Sequence, residues 1–181
     1  MKHNYLAGAA VLGAALAFST TANAQNVINA NNHGMAGALN FAGGYGYLGG
    51  GGRLEIEYQF HFNRRYEGPG IGLGIQLPFW AGFGIGFQGR FIYDIQPISN
   101  VAFFITPYGG LSLGFWNYCE AGRCGGFWVA PELGLELKVV LFDRLLLGFR
   151  PIGISIPFAF GGWRDSVWWG YHAGFTIGVT F

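Results

Sequence analysis

Nine charged residues stand at alternate positions within stretches that are otherwise apolar or glycine-rich: Arg53, Glu55, Glu57, Arg90, Asp94, Glu132, Glu136, Lys138 and Arg150. Gathered away from bulk water, these four cations and five anions would have to pair or be hydrated, which predicts a network of ion pairs. Read with His61, His172, Ser112 and Ser155, the same set also contains, on paper, a nucleophile, a base and an orienting acid. A separate thiol pair lies in C-E-A-G-R-C, Cys119 and Cys124. An oxidising compartment would make it a disulfide, and a metal site would need His or further Cys close by, which the local sequence lacks. Gly-x-Gly runs such as Gly82 to Gly86 sit within strand alternation with no helix after them, so a phosphate loop is not expected.

The elements that position these residues are strands. From Arg53 to Phe62 the chain reads R-L-E-I-E-Y-Q-F-H-F, polar and large apolar by turns, which is a strand with two chemically opposite faces. The same alternation recurs. Strand one is expected at about Gly37 to Leu48, followed by a turn at Gly49 to Gly52 and strand two at Arg53 to Phe62. Strand three runs from Gly70 to Phe79, strand four from Phe83 to Ile95 and strand five from Val101 to Trp116. A connection from Asn117 to Gly126 precedes strand six, which ends at Leu141, and a tight turn follows at Phe142-Asp143-Arg144. In strand seven the parity changes. Leu145, Leu147 and Phe149 share one face, yet the next apolar set is Ile152, Ile154, Ile156 and Phe158. A β-bulge near Arg150-Pro151 would restore a single face and tolerate the missing proline N–H. A loop from Ala159 to Ser166 leads to strand eight, Val167 to Phe181.

Composition limits what this sheet can be. Charged residues are 10% of the chain, aromatics are 18%, and there are 33 glycines, whereas a water-covered surface carries about 25–35% charge. Net charge is +1 with the basic residues scattered, so the footprint of a nucleic-acid binder is missing. After Phe18 no stretch approaches the length and apolarity of a spanning helix, and among strand structures only a closed barrel satisfies its backbone in hydrocarbon. Residues 1–24 have the pattern of a secretory signal peptide: Lys2, an apolar run, and Ala22-Asn23-Ala24 as the cleavage signal. The mature chain is then 181 − 24 = 157 residues, enough for one domain, with 25–36 an Asn-rich flexible lead-in and 37–181 the barrel.

Residue size indicates which face points outward. The faces carrying the charges are otherwise Gly, Ala, Ser, Thr and Gln, while the bulky side chains occupy the other face. An eight-stranded barrel has room for only a limited filling. The expected fold is therefore all-β, an eight-stranded antiparallel up-and-down transmembrane β-barrel. Leu54, Ile56, Tyr58, Phe60 and Phe62 would face lipid and the nine charges a narrow, partly wet lumen with a charged floor. Ten residues at about 3.3 Å each, tilted by about 45°, rise some 23 Å, close to the ~25 Å apolar band of such barrels.

In this architecture, and in its last eleven residues, the chain resembles the small eight-stranded outer-membrane barrels of Gram-negative bacteria, such as the transmembrane domain of OmpA and the OmpX-like proteins. The segment Tyr171-His-Ala-Gly-Phe-Thr-Ile-Gly-Val-Thr-Phe181 looks like the signal read by the barrel-assembly machinery, with Tyr171, Phe175, Ile177, Val179 and Phe181 as its apolar positions. The resemblance implies Sec-type export, location in the outer membrane, contact with its lipid, a monomer and no cofactor. It also implies periplasmic termini, which would place Cys119 and Cys124 outside the cell. Lipid-modifying enzymes exist among eight-stranded barrels, but the His-x-Ser-Asn pattern of the deacylases is not met at His172-Ala173-Gly174-Phe175.

Three functional readings follow. The first is a non-catalytic envelope barrel with a structural or surface-interaction role. The second is a narrow pore or a transporter for small solutes or small apolar molecules. The third is a soluble ligand-binding barrel. Trp80, Trp116, Trp128 and Trp168 fall at the predicted outer strand ends on the inward parity. They form either an interfacial girdle whose parity drifts near the loops or an aromatic mouth able to hold a small apolar ligand.

Overall fold

The computed structural model describes residues 35–45, 52–62, 67–79, 83–98, 101–120, 123–142, 144–160, 166–167 and 169–181. The expected signal peptide, residues 25–34 of the lead-in, Trp80 and Trp168 lie outside them. The strands are β1 (Met35–Tyr45), β2 (Gly52–His61), β3 (Gly68–Phe79), β4 (Phe83–Asp94), β5 (Phe103–Glu120), β6 (Arg123–Leu141), β7 (Leu145–Ser155), β8 (Phe158–Phe160), β9 (Ser166–Val167) and β10 (Gly170–Thr180). Each pairs antiparallel with its neighbours in the order β5-β4-β3-β2-β1-β10-β7-β6, and β5 pairs with β6 to close the ring. The protein is thus a closed eight-stranded up-and-down barrel, with two short pieces near the rim, β8 paired to β6 and β9 paired to β8. The first and last strands meet along a register running from Ala36↔Thr180 to Tyr45↔Tyr171.

Alternation decides the polarity of the wall. Along β2, Arg53, Glu55, Glu57, Gln59 and His61 are buried, while Ile56, Tyr58, Phe60 and Phe62 are exposed. The other staves repeat this, so the barrel is apolar outside and polar inside, the reverse of a water-soluble one.

The parity change on β7 is a bulge. Arg150 pairs with Gly174 but Gly153 with His172, and on the other edge Phe149 pairs with Leu137 but Ile152 with Leu135. The extra residue at Arg150-Pro151 keeps Phe149 and Ile152 both outside while Arg150 stays buried within.

Three expectations are corrected. β1 begins at Met35, inside the expected lead-in, because Met35 and Phe181 exchange backbone hydrogen bonds of 3.3 and 3.0 Å across the seam. The connection at Asn117 to Gly126 is largely strand. β5 and β6 stay paired to Glu120↔Arg123, with an irregularity between Trp116 and Cys119 that disguises the alternation. The expected loop at Ala159 to Ser166 begins with strand, since Phe158 to Phe160 pair with Phe127 to Val129 of β6.

The floor also differs from the charged one expected. At the end that carries the termini, Ala36, Ala38, Ala102, Phe104, Val140 and Leu146 form a buried apolar cluster, and the charges lie above it. Runs such as Val139-Val140-Leu141 and Leu145-Leu146-Leu147 are apolar on both faces for this reason.

Candidate functional site

The lumen is filled by side chains that reach across it, and small residues on the facing strands make room. Tyr108 lies over Gly134, its cross-strand partner, where an added Cβ would come within 2.3 Å of the ring. Trp128 lies over Gly86 and Gly114, where a Cβ would sit 2.6 and 2.9 Å from the indole. The inward glycines of the sequence are therefore sockets for specific neighbours.

Within this packing the structure places all nine charges inside, each buried. Glu55 is the hub. Its Oε2 accepts from Asn40 at 3.0 Å and lies 3.3 Å from Arg150 Nη1 and 3.5 Å from Arg90 Nη2, while Arg53 Nε contacts its other oxygen. Arg53 turns its outer nitrogens to Glu132, Nη1 to Oε1 at 2.8 Å and Nη2 to Oε2 at 3.1 Å, and Ser112 Oγ donates to Glu132 at 2.9 Å. Arg90 pairs with Glu57, to which Gln88 also donates at 2.9 Å. Arg150 reaches Glu136 at 3.6 Å, and Thr176 donates to the same carboxylate.

A second group lies nearer the termini. Lys138 Nζ is 3.0 Å from Asp94, His61 Nε2 is 2.5 Å from the same carboxylate, and Thr106 donates to it. Two glutamine contacts join the groups: Lys138 donates to Gln59 at 3.1 Å and Gln59 to Glu57 at 2.7 Å. Charges of this kind repay their desolvation only when well paired and hydrogen-bonded, as most are here.

Tyr108 was on the inward parity, but nothing in its spacing marked it as central. The guanidinium carbons of Arg90 and Arg150 each lie 5.0 Å from its ring centroid, within the range of cation–π attraction. Around it Arg90 Nε and Nη1 and Arg150 Nε have no acceptor among the described residues. Buried donors of that kind are ordinarily met by water.

The candidate serine, histidine and aspartate do not assemble into a triad. Ser112 gives its hydroxyl to Glu132, with a longer 3.3 Å contact to the Ala130 carbonyl, and Ser155 Oγ has no hydrogen-bond partner among the described residues. His61 is held by Asp94, and His172 Nε2 lies 3.2 Å from Arg53 and 3.4 Å from Tyr108. Neither serine is hydrogen-bonded to a histidine among the described residues. Among the described residues no group of three or more His, Cys, Asp or Glu is placed to hold a metal.

Of the four tryptophans, Trp128 is fully buried and Trp116 half-buried. Trp128 packs the lumen instead of lining an open mouth. Cys119 and Cys124 are cross-strand partners in the backbone register; their side chains lie outside the described residues. The C-terminal positions Tyr171, Phe175, Ile177, Val179 and Phe181 are all exposed on the outer face.

No protein-family model and no curated protein matches this chain. Two solved structures share the fold. The N-terminal β-barrel domain of Pseudomonas aeruginosa OprF aligns with a TM-score of 0.60 at 10% identity, covering 81% of this chain and 96% of that one. Neisserial surface protein A (NspA) aligns with a TM-score of 0.54 at 12% identity, covering 81% and 94%.

Proposed function

We propose that the protein is an integral outer-membrane barrel of a Gram-negative envelope, without catalysis, whose role is structural or one of surface interaction. The observation that carries this reading is the lumen: a paired charge network stands on an apolar floor and beneath a buried tryptophan. An apolar exterior supports contact with membrane lipid, and the exposed alternation ending in Phe181 supports handling by the barrel-assembly machinery. The fold shared with NspA, by its name a surface protein, agrees with export across the inner membrane by the Sec route. A lumen filled by its own side chains needs no second copy to close it, which supports a monomer, and the reading calls for no cofactor and no nucleic-acid partner.

Cell fractionation with a denaturing gel run heated and unheated tests the reading. The protein should require detergent for extraction from the outer membrane and migrate faster unheated than boiled. Recovery in the periplasm without detergent would support the soluble barrel instead. A second reading, a narrow pore, is favoured by one observation, the unpartnered guanidinium donors around Tyr108, and planar-bilayer recordings separate it from the first.

A further inference from the structure

The turn between β6 and β7 carries an apolar side chain that the fold itself does not require. Phe142 is 90% exposed and, among the described residues, is the non-glycine with positive φ, at 52°. Left-handed backbone disfavours a bulky side chain, and asparagine or glycine would fit the turn better. The turn is nonetheless well fixed: Arg144 N donates to Leu141 O at 3.1 Å, and Thr180 N donates to Arg144 O at 2.8 Å, which seats it on the rim beside the C-terminus. The Arg144 side chain is exposed.

Phe142 directly follows Leu141, the last residue of the apolar outer face of β6. From Phe127 to Leu141 that face presents no charged or amide side chain. Fourteen steps at about 3.3 Å, tilted by about 45°, make it about 33 Å tall. Across the barrel the apolar face of β2 runs only from Leu54 to Phe62, about 19 Å by the same reckoning, and the chain continues as Asn63-Arg64-Arg65. Set against an apolar band of about 25 Å, β6 overshoots where β2 falls short.

We propose that the β6–β7 turn is a lipid anchor. Phe142 enters the boundary between headgroups and acyl chains of the leaflet at the terminus-bearing end, and Arg144 reaches the lipid phosphates. Aromatic rings favour that depth, and an arginine beside one meets an anionic headgroup. This rests on the membrane reading given above.

The test places an environment-sensitive fluorophore on Phe142→Cys, in a chain that also carries Cys119→Ser and Cys124→Ser, refolded into phosphatidylcholine vesicles. Leu133→Cys, at a position 67% exposed in the middle of the outer face, is the reference. Brominated lipids should quench the label at 142 at least twofold, most with bromines near the headgroup, and the label at 133 most with deep bromines. A label at 142 that emits as in water while 133 is quenched would overturn the anchor, leave the membrane reading intact and turn Phe142 toward a periplasmic protein. Absence of quenching at both would overturn the membrane reading as well.

Discussion

Arg53 and Glu132 grip each other by two nearly parallel hydrogen bonds, 2.8 and 3.1 Å long, across the full width of the lumen. In the ring order β2-β1-β10-β7-β6 their strands are four places apart in a ring of eight, so the pair ties opposite walls together. Arginine's planar fork makes this geometry specific, and lysine would not reproduce it.

Removing one partner should cost more than removing both. Arg53→Ala leaves Glu132 and part of Glu55 buried without their cation, a loss of about 3–5 kcal/mol. Arg53→Met with Glu132→Leu should recover a large part of that loss. Urea titrations of the folded barrel in vesicles measure both, and equal losses in the single and double variants would show that the pair is not the tie it looks to be.

The glycine sockets give a second prediction. Gly134→Ala drives a Cβ to 2.3 Å from the Tyr108 ring and 2.6 Å from Ile152 O, so it should destabilise by about 1–3 kcal/mol. Tyr108→Ala should relieve only part of this, because the backbone contact stays. Full rescue would mean that the wall yields more easily than its hydrogen bonds suggest.

Deleting Pro151 tests the bulge. Without the extra residue the strand alternates unbroken, so Leu147, Phe149, Ile152 and Ile154 all keep the outer face and Arg150 the inner one, within reach of Glu55 and Glu136. The deletion should therefore leave the heat-dependent shift on the gel in place. Loss of the shift would show that the bulge does more than absorb one residue.

Cys119 and Cys124 face each other in the register near the tip of the β5–β6 hairpin. A disulfide there closes a very short loop, so its loss should cost no more than about 2 kcal/mol. Maleimide–polyethylene glycol should leave the exported protein unshifted until a reductant is added. Immediate modification of both thiols would refute the pairing.

The barrel and its polarity were legible because alternation with a period of two is preserved on most staves, and because large residues on one face and Gly on the other leave one workable arrangement. The bulge was legible for the same reason, as a break in parity flanked by intact parity on both sides. The β5–β6 hairpin was not, since the irregularity after Trp116 interrupts the period where two cysteines and a glycine already suggest a loop. The apolar floor was hidden as well. Phe104 and Leu146 sit among apolar neighbours on both faces, and such runs do not reveal which of their members turn inward. Parity put the nine charges on one face, but it could not find their partners, because Arg53 and Glu132 lie 79 residues apart and meet only once the ring closes.

Closure of the lumen is the claim on which the rest depends, and single-channel recording of the purified barrel in planar bilayers tests it most directly. With Phe104 and Leu146 packed beneath and the ion pairs made above, the wild-type protein should show no stable openings across the usual range of voltage and salt. Steady, ohmic openings in the wild-type protein would contradict a sealed barrel and establish the narrow pore in its place.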